Sequence, residues 1–122
     1  MEQSLNRAAQ YKKFNKMVAE LLLFCDRSLI SIKILECWRS PQAAALNAIN
    51  KVGVVNSKHI YSLAIDMAIT IPSGLALADV KDERYKKLGE FWESIGGKWG
   101  GRFSQYSDIY HFELNELPYK KK

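Results

Sequence analysis

Histidine is scarce in this chain of 122 residues, which holds only His59 and His111. Cysteine is equally scarce, and Cys25 and Cys37 do not form a Cys-x-x-Cys pair, which excludes a disulfide scaffold and a zinc-thiolate cluster. Both read as buried free thiols. No apolar run approaches the roughly 18 residues of a membrane span, and Met1 to Gln10 lacks the apolar stretch of a signal peptide. The expectation is a protein made and kept soluble in a cytoplasm, without stable membrane insertion, that reaches any substrate outside only after release. Internal repeats and low-complexity segments are missing too. Gly96-Gly97-Lys98-Trp99-Gly100-Gly101 has the glycine density of a phosphate-cradling loop, but it follows a helical pattern and lacks both the Walker spacing and the dinucleotide fingerprint. It reads instead as tight turns and close backbone approach beside the final strand.

What is present suffices for one core. An apolar content of 48% with 11% aromatics over 122 residues fits a single domain spanning 1–122. Eighteen basic residues against thirteen acidic give a net charge of +5, which favours anionic partners: nucleic acid, acidic lipid or the anionic polymers of a bacterial wall. Charge does not choose among these. Lys120, Lys121 and Lys122 read as a solvated tail.

Tyr11, Phe14, Val18, Leu21 and Cys25 recur at steps of three and four, so residues 4–26 read as an amphipathic helix. A strand over 31–38 leads to Arg39-Ser40-Pro41, where serine and proline open a helix over 41–51. Arg39, at the strand end, suits either an anionic or polarised group or a structural ion pair. Pro72-Ser73-Gly74 breaks the next strand, and 75–81 reads as a locally packed loop. Asp79 or Asp82 caps a helix over 82–95 with the stripe Tyr85, Leu88, Trp92 and Ile95, and Gly96-Gly97 ends it.

The two histidines lie in strand-like surroundings. Over 64–71, Ile65, Met67, Ile69 and Ile71 share one face, which sets Asp66 on the other. Over 109–115, Tyr110, Phe112 and Leu114 share one face and His111 and Glu113 the other. Taken as bare residues, two histidines and an aspartate also fit a core pair and a surface acid. A strand with an apolar face and a potential ligand opposite, occurring twice, suits a one-sided sheet with a site on its open side. The expected architecture is α+β: a small, mainly antiparallel sheet with helices on one face and the site on the other. His59, Asp66 and His111 would make a three-ligand catalytic zinc site, whose fourth position belongs to water.

The segments Trp38-Arg39-Ser40-Pro41, Ser57-Lys58-His59 with Ala64-Ile65-Asp66, Trp99-Gly100-Gly101-Arg102-Phe103 and Asp108-Ile109-Tyr110-His111-Phe112-Glu113 occur in that order. In this the chain resembles the zinc peptidases of the D-alanyl-D-alanine carboxypeptidase group, in particular phage and bacterial L-alanyl-D-glutamate endopeptidases that cut peptidoglycan. The resemblance spans most of the chain and implies a hedgehog/D,D-peptidase-like fold. It implies one Zn2+ per chain on His59, Asp66 and His111, Asp108 as general base, and Arg39 steadying the substrate carbonyl or oxyanion, with Ser57 beside it in the substrate site. Glu113 would orient His111 or stand as a solvated acid. Two positions depart from the family pattern: Ser62 stands where glycine is usual, and Ala44 where a glutamine often follows the arginine by five residues.

The reading that follows is a monomeric zinc metallopeptidase acting on the L-alanyl-D-glutamate bond of peptidoglycan, not on nucleic acid, in the manner of a phage endolysin in host cell lysis. Aspartate three residues before His111 separates it from the D-alanyl-D-alanine carboxypeptidases and dipeptidases, which resemble Glu-x-x-His there. Those enzymes are the alternative. A basic, non-enzymatic module that binds cell wall or nucleic acid is the reading of a different class.

Overall fold

The computed structural model describes residues 6–38, 40, 42, 58, 62–103 and 107–115. Among them the chain runs α1 (Arg7–Arg27), β1 (Ile32–Glu36), β2 (Ala64–Ile69), α2 (Glu83–Ser94), β3 (Gly97–Trp99) and β4 (His111–Leu114), with a 3-10 turn at Gly100–Arg102. Of the expected helix over 41–51, Gln42 alone is among the described residues, and it is helical.

α1 begins where the Asn6 side chain accepts the Ala9 N–H at 2.8 Å. It buries Phe14, Met17, Leu21 and Cys25. Its end is a Schellman turn: Ile30 N–H donates to Cys25 O (2.9 Å) and Leu29 N–H to Asp26 O (3.2 Å). Leu29 holds the left-handed position of that turn, with φ 57° and 93% of its surface exposed. A leucine there bears the left-handed steric cost and gains almost no burial. Leu29→Gly is therefore expected to stabilise the fold by about 1 kcal/mol, read as a rise in the denaturant midpoint at unchanged slope.

The four strands form one antiparallel sheet in the order β1-β2-β4-β3. β2 and β4 are central, and their register pairs Ile65 with Phe112 and Asp66 with His111. Paired residues point to the same side, so the alternation read from the sequence becomes one dry face and one open face. Ile65, Met67, Ile69, Phe112 and Leu114 meet α1 and α2 in the core, with Tyr85, Leu88 and Trp92 fully buried between them. The expected α+β arrangement, helices on one face of a small antiparallel sheet, is the one observed.

Buried aromatics lock this register through their polar ends. Trp92 Nε1–H donates to Glu113 O at 2.8 Å, which ties α2 to β4, and Trp99 Nε1–H donates to Ile109 O at 3.0 Å. The Tyr85 hydroxyl accepts from Ile69 N–H (2.9 Å) and donates to Leu77 O (2.6 Å), pinning the loop after β2. That loop turns back on itself through an isolated bridge between Thr70 and Ala76.

Two expectations are corrected. Gly97–Trp99, read as turns, is an edge strand paired with β4, because Gly97 leaves room for the Trp92 indole: a Cβ there would lie 2.0 Å from Trp92 Nε1. Cys37, read as buried, is half-buried beside Asp66; burial and that negative charge both raise its pKa. Cys25 is buried as expected, and desolvation pushes its thiol up to about 11, so it is inert at neutral pH.

Candidate active site

On the open face of β2 and β4, Asp66 and His111 stand opposite each other, with His111 Nδ1 3.3 Å from Asp66 Oδ1. Asp108 joins them from the turn that leads into β4. That turn is closed by His111 N–H donating to Asp108 O (3.2 Å) and by the Asp108 side chain accepting the Tyr110 N–H (3.1 Å). Asp108 N–H in turn donates to Gly100 O at 2.9 Å. Only glycine fits at 100, since a Cβ would lie 2.4 Å from Asp108 O and 2.8 Å from His111 Cβ. Gly100 thus lets the chain pass close enough to this turn to set Asp108 beside His111, while Gly101 leaves room for the Trp99 indole.

One ligand atom from each of Asp66, Asp108 and His111 lies within 4.8 Å of the others. Two carboxylate oxygens and an imidazole nitrogen at this separation suit a borderline divalent ion, so the three can hold a metal. His59 and Ser57, and Arg39 likewise, lie outside the described residues.

His111 is 9% exposed and its second nitrogen is already committed, with Nε2 2.8 Å from Glu113 Oε1. In the neutral ring the Nε2–H donates to Glu113, which leaves the Nδ1 lone pair facing Asp66. Glu113 is held in turn by Lys58, whose Nζ lies 2.6 Å from its Oε2. The Phe103 ring covers the other side, 5.6 Å from the imidazole centroid, and Lys98 Nζ sits over that ring. Lys58 and Phe103 carry no sequence signal of their own. Both fall inside the quoted motifs, and that proximity was the available signal.

Burial pulls the His111 pKa down, but hydrogen bonds to the Asp66 and Glu113 carboxylates and their charges outweigh it and hold the metal-free imidazole at about 9. Burial raises the Glu113 pKa, and its bonds from His111 and Lys58 reverse this to leave it lowered. With a folded pKa of about 9 against an ordinary 6.5, His111 stabilises the metal-free fold fully below pH 6.5, and the contribution is lost as pH rises through 9. Metal-free protein is expected to lose on the order of 3 kcal/mol between these limits. Metal affinity should rise over the same interval, because the ion must displace a proton from the ring. Melts of chelator-treated protein and competitive metal titrations at matched pH values check both.

Ser62 explains one departure from the family pattern. Its φ is 57°, the left-handed region in which glycine is free of steric cost. The turn keeps that conformation with serine, closed by Leu63 N–H donating to Lys58 O at 3.0 Å.

No curated protein sequence matches the chain. Among solved structures, the L-Ala D-Glu endopeptidase ChiX of Serratia marcescens is similar in fold, with a TM-score of 0.68 at 16% identity over 93% of this chain and 90% of that one. A family model described as D-alanyl-D-alanine carboxypeptidase matches residues 50–114, more than half of the chain and the whole stretch from His59 to Glu113. The chain therefore belongs to the D-alanyl-D-alanine carboxypeptidase family of peptidases.

Proposed function

We propose that the chain is a zinc metallopeptidase that hydrolyses the L-alanyl-D-glutamate bond of peptidoglycan stem peptides, acting as a monomeric phage endolysin on the host wall. The observation that carries this reading is the meeting of Asp66, Asp108 and His111 on the open face of the sheet. Asp66 and His111, with His59 from the sequence motif, hold the ion; when bound, it polarises the scissile carbonyl and lowers the pKa of water towards neutrality. Asp108 accepts the proton of the attacking water. It returns that proton to the amine as the C–N bond breaks, so no proton is left over. Arg39 offsets the charge on the carbonyl oxygen and Ser57 helps seat the peptide. Glu113 fixes the His111 ring. The net charge of +5 draws the protein to anionic wall polymers.

Aspartate rather than glutamate three residues before His111 favours the L-alanyl-D-glutamate bond, as does the likeness in fold to an L-Ala D-Glu endopeptidase. The description of the matching family model favours the second reading, a D-alanyl-D-alanine carboxypeptidase. A wall-clearing assay tests the shared part of both. Purified walls should clear with the zinc-loaded protein, stop clearing with chelator, and clear again on zinc addition; tight wall binding without clearing would instead support a non-enzymatic module.

A further inference from the structure

Lys58 makes the least expected contacts of the site. Its ammonium lies 2.6 Å from Glu113 Oε2 and donates to Leu114 O at 2.7 Å. The two side chains are only 18% and 13% exposed, so this is not one of the solvated surface pairs that contribute little. Glu113 spends one oxygen on Lys58 and the other on His111 Nε2. The backbone closes the same loop, for Lys58 O accepts the Leu63 N–H and Leu63 O accepts the Leu114 N–H, both at 3.0 Å. The Lys58 side chain thus ends directly on β4, and its main chain reaches β4 through Leu63.

Glu113 shares the open face with Asp66 and His111, and a carboxylate there is itself a potential ligand. Something must hold it as a hydrogen-bond acceptor for the ring. We infer that Lys58 is the positioning residue of the site: it anchors Glu113 to β4, so that Glu113 fixes the His111 ring with Nδ1 towards Asp66. Lys58 acts through Glu113, and it also adjoins His59 in the chain, so one residue joins the two histidine-bearing segments. This rests on the metallopeptidase reading above.

The test reads metal binding without substrate. Zinc dissociation constants and the visible spectrum of the cobalt-loaded protein are compared for wild type, Lys58→Met, Glu113→Ala and the double variant. Loss of such a supporting contact is expected to weaken metal binding ten- to a hundredfold. Lys58→Met should show that loss with an altered cobalt spectrum, and the double variant should bind no more weakly than Glu113→Ala, since Lys58 has nothing left to act through. A Lys58→Met protein with wild-type affinity and spectrum would overturn the assignment, as would losses that add in the double variant. If Lys58→Met does not fold because Glu113 is left buried without a cation, the comparison of Glu113→Ala with the double variant carries the test alone. A wild-type chain that takes up neither zinc nor cobalt overturns the metallopeptidase reading and the positioning role together; normal wild-type loading with an indifferent Lys58→Met overturns the positioning role only.

Discussion

Asp108→Asn is expected to keep the fold and the metal while losing on the order of a hundred- to ten-thousandfold in turnover. The Asp108 side chain holds its turn by accepting the Tyr110 N–H at 3.1 Å, and an asparagine carbonyl accepts the same bond. Its main-chain bonds to Gly100 and His111 do not depend on the side chain. The amide cannot take a proton from water, and this is the one function removed. Zinc content, melting temperature and wall clearing measured on one preparation separate the outcomes. Wild-type clearing with zinc bound would show that Asp108 is not the base. Glu113→Gln in the same assay then tests the next carboxylate on that face, although both Glu113 oxygens are already engaged by His111 and Lys58. Loss of zinc in Asp108→Asn would place Asp108 among the ligands, a role its position within 4.8 Å of the other two permits. Arg39→Ala, by contrast, is expected to spare the metal and change KM and kcat together.

Asp66→Ala and His111→Ala are expected to lose both the metal and the activity, the latter by more than roughly a thousandfold, because a chelate missing one of three ligands holds the ion too weakly. Both residues sit on strands whose opposite sides are core, so the backbone that carries them stays fixed when the side chain is cut back. His111→Ala goes further, since it also removes the ring that bridges Asp66 and Glu113. His59→Ala carries the same expectation from the sequence motif. Metal analysis after gel filtration, beside a chelator-treated wild type, checks all three, and an active protein shown to be free of metal would contradict the mechanism.

The parts of this fold legible in the sequence are those with a strong period. The three- and four-residue steps from Tyr11 to Cys25 gave α1, and the alternation around Asp66 and His111 placed both on the face away from Ile65 and Phe112, where the register then sets them opposite each other. β3 was not legible. Three residues, one of them glycine, carry no alternation, and their strand state comes from pairing with β4 and from Trp92 filling the space over Gly97. The meeting of Asp66, Asp108 and His111, a group that could hold a metal, was legible as residue types but not as a set of distances: the sequence presents Asp108 as a base and not as a ligand, and Asp108 comes beside Asp66 through a turn that depends on Gly100. Lys58 was hidden for another reason. A lysine signals a solvated charge, and nothing local reveals that Glu113, 55 positions on, shields it and takes its charge.

The central claim is that this site cuts one particular bond and needs its metal to do so. Mass analysis of peptidoglycan fragments, after digestion with zinc-loaded protein and with the same protein under chelator, tests it most directly. The expected result is stem peptides severed between L-alanine and D-glutamate, with a new D-glutamate amino terminus, in the zinc-loaded digest alone. Release of terminal D-alanine from stems whose L-alanyl-D-glutamate bond is intact, or the same severed stems in the chelated digest, would contradict the account.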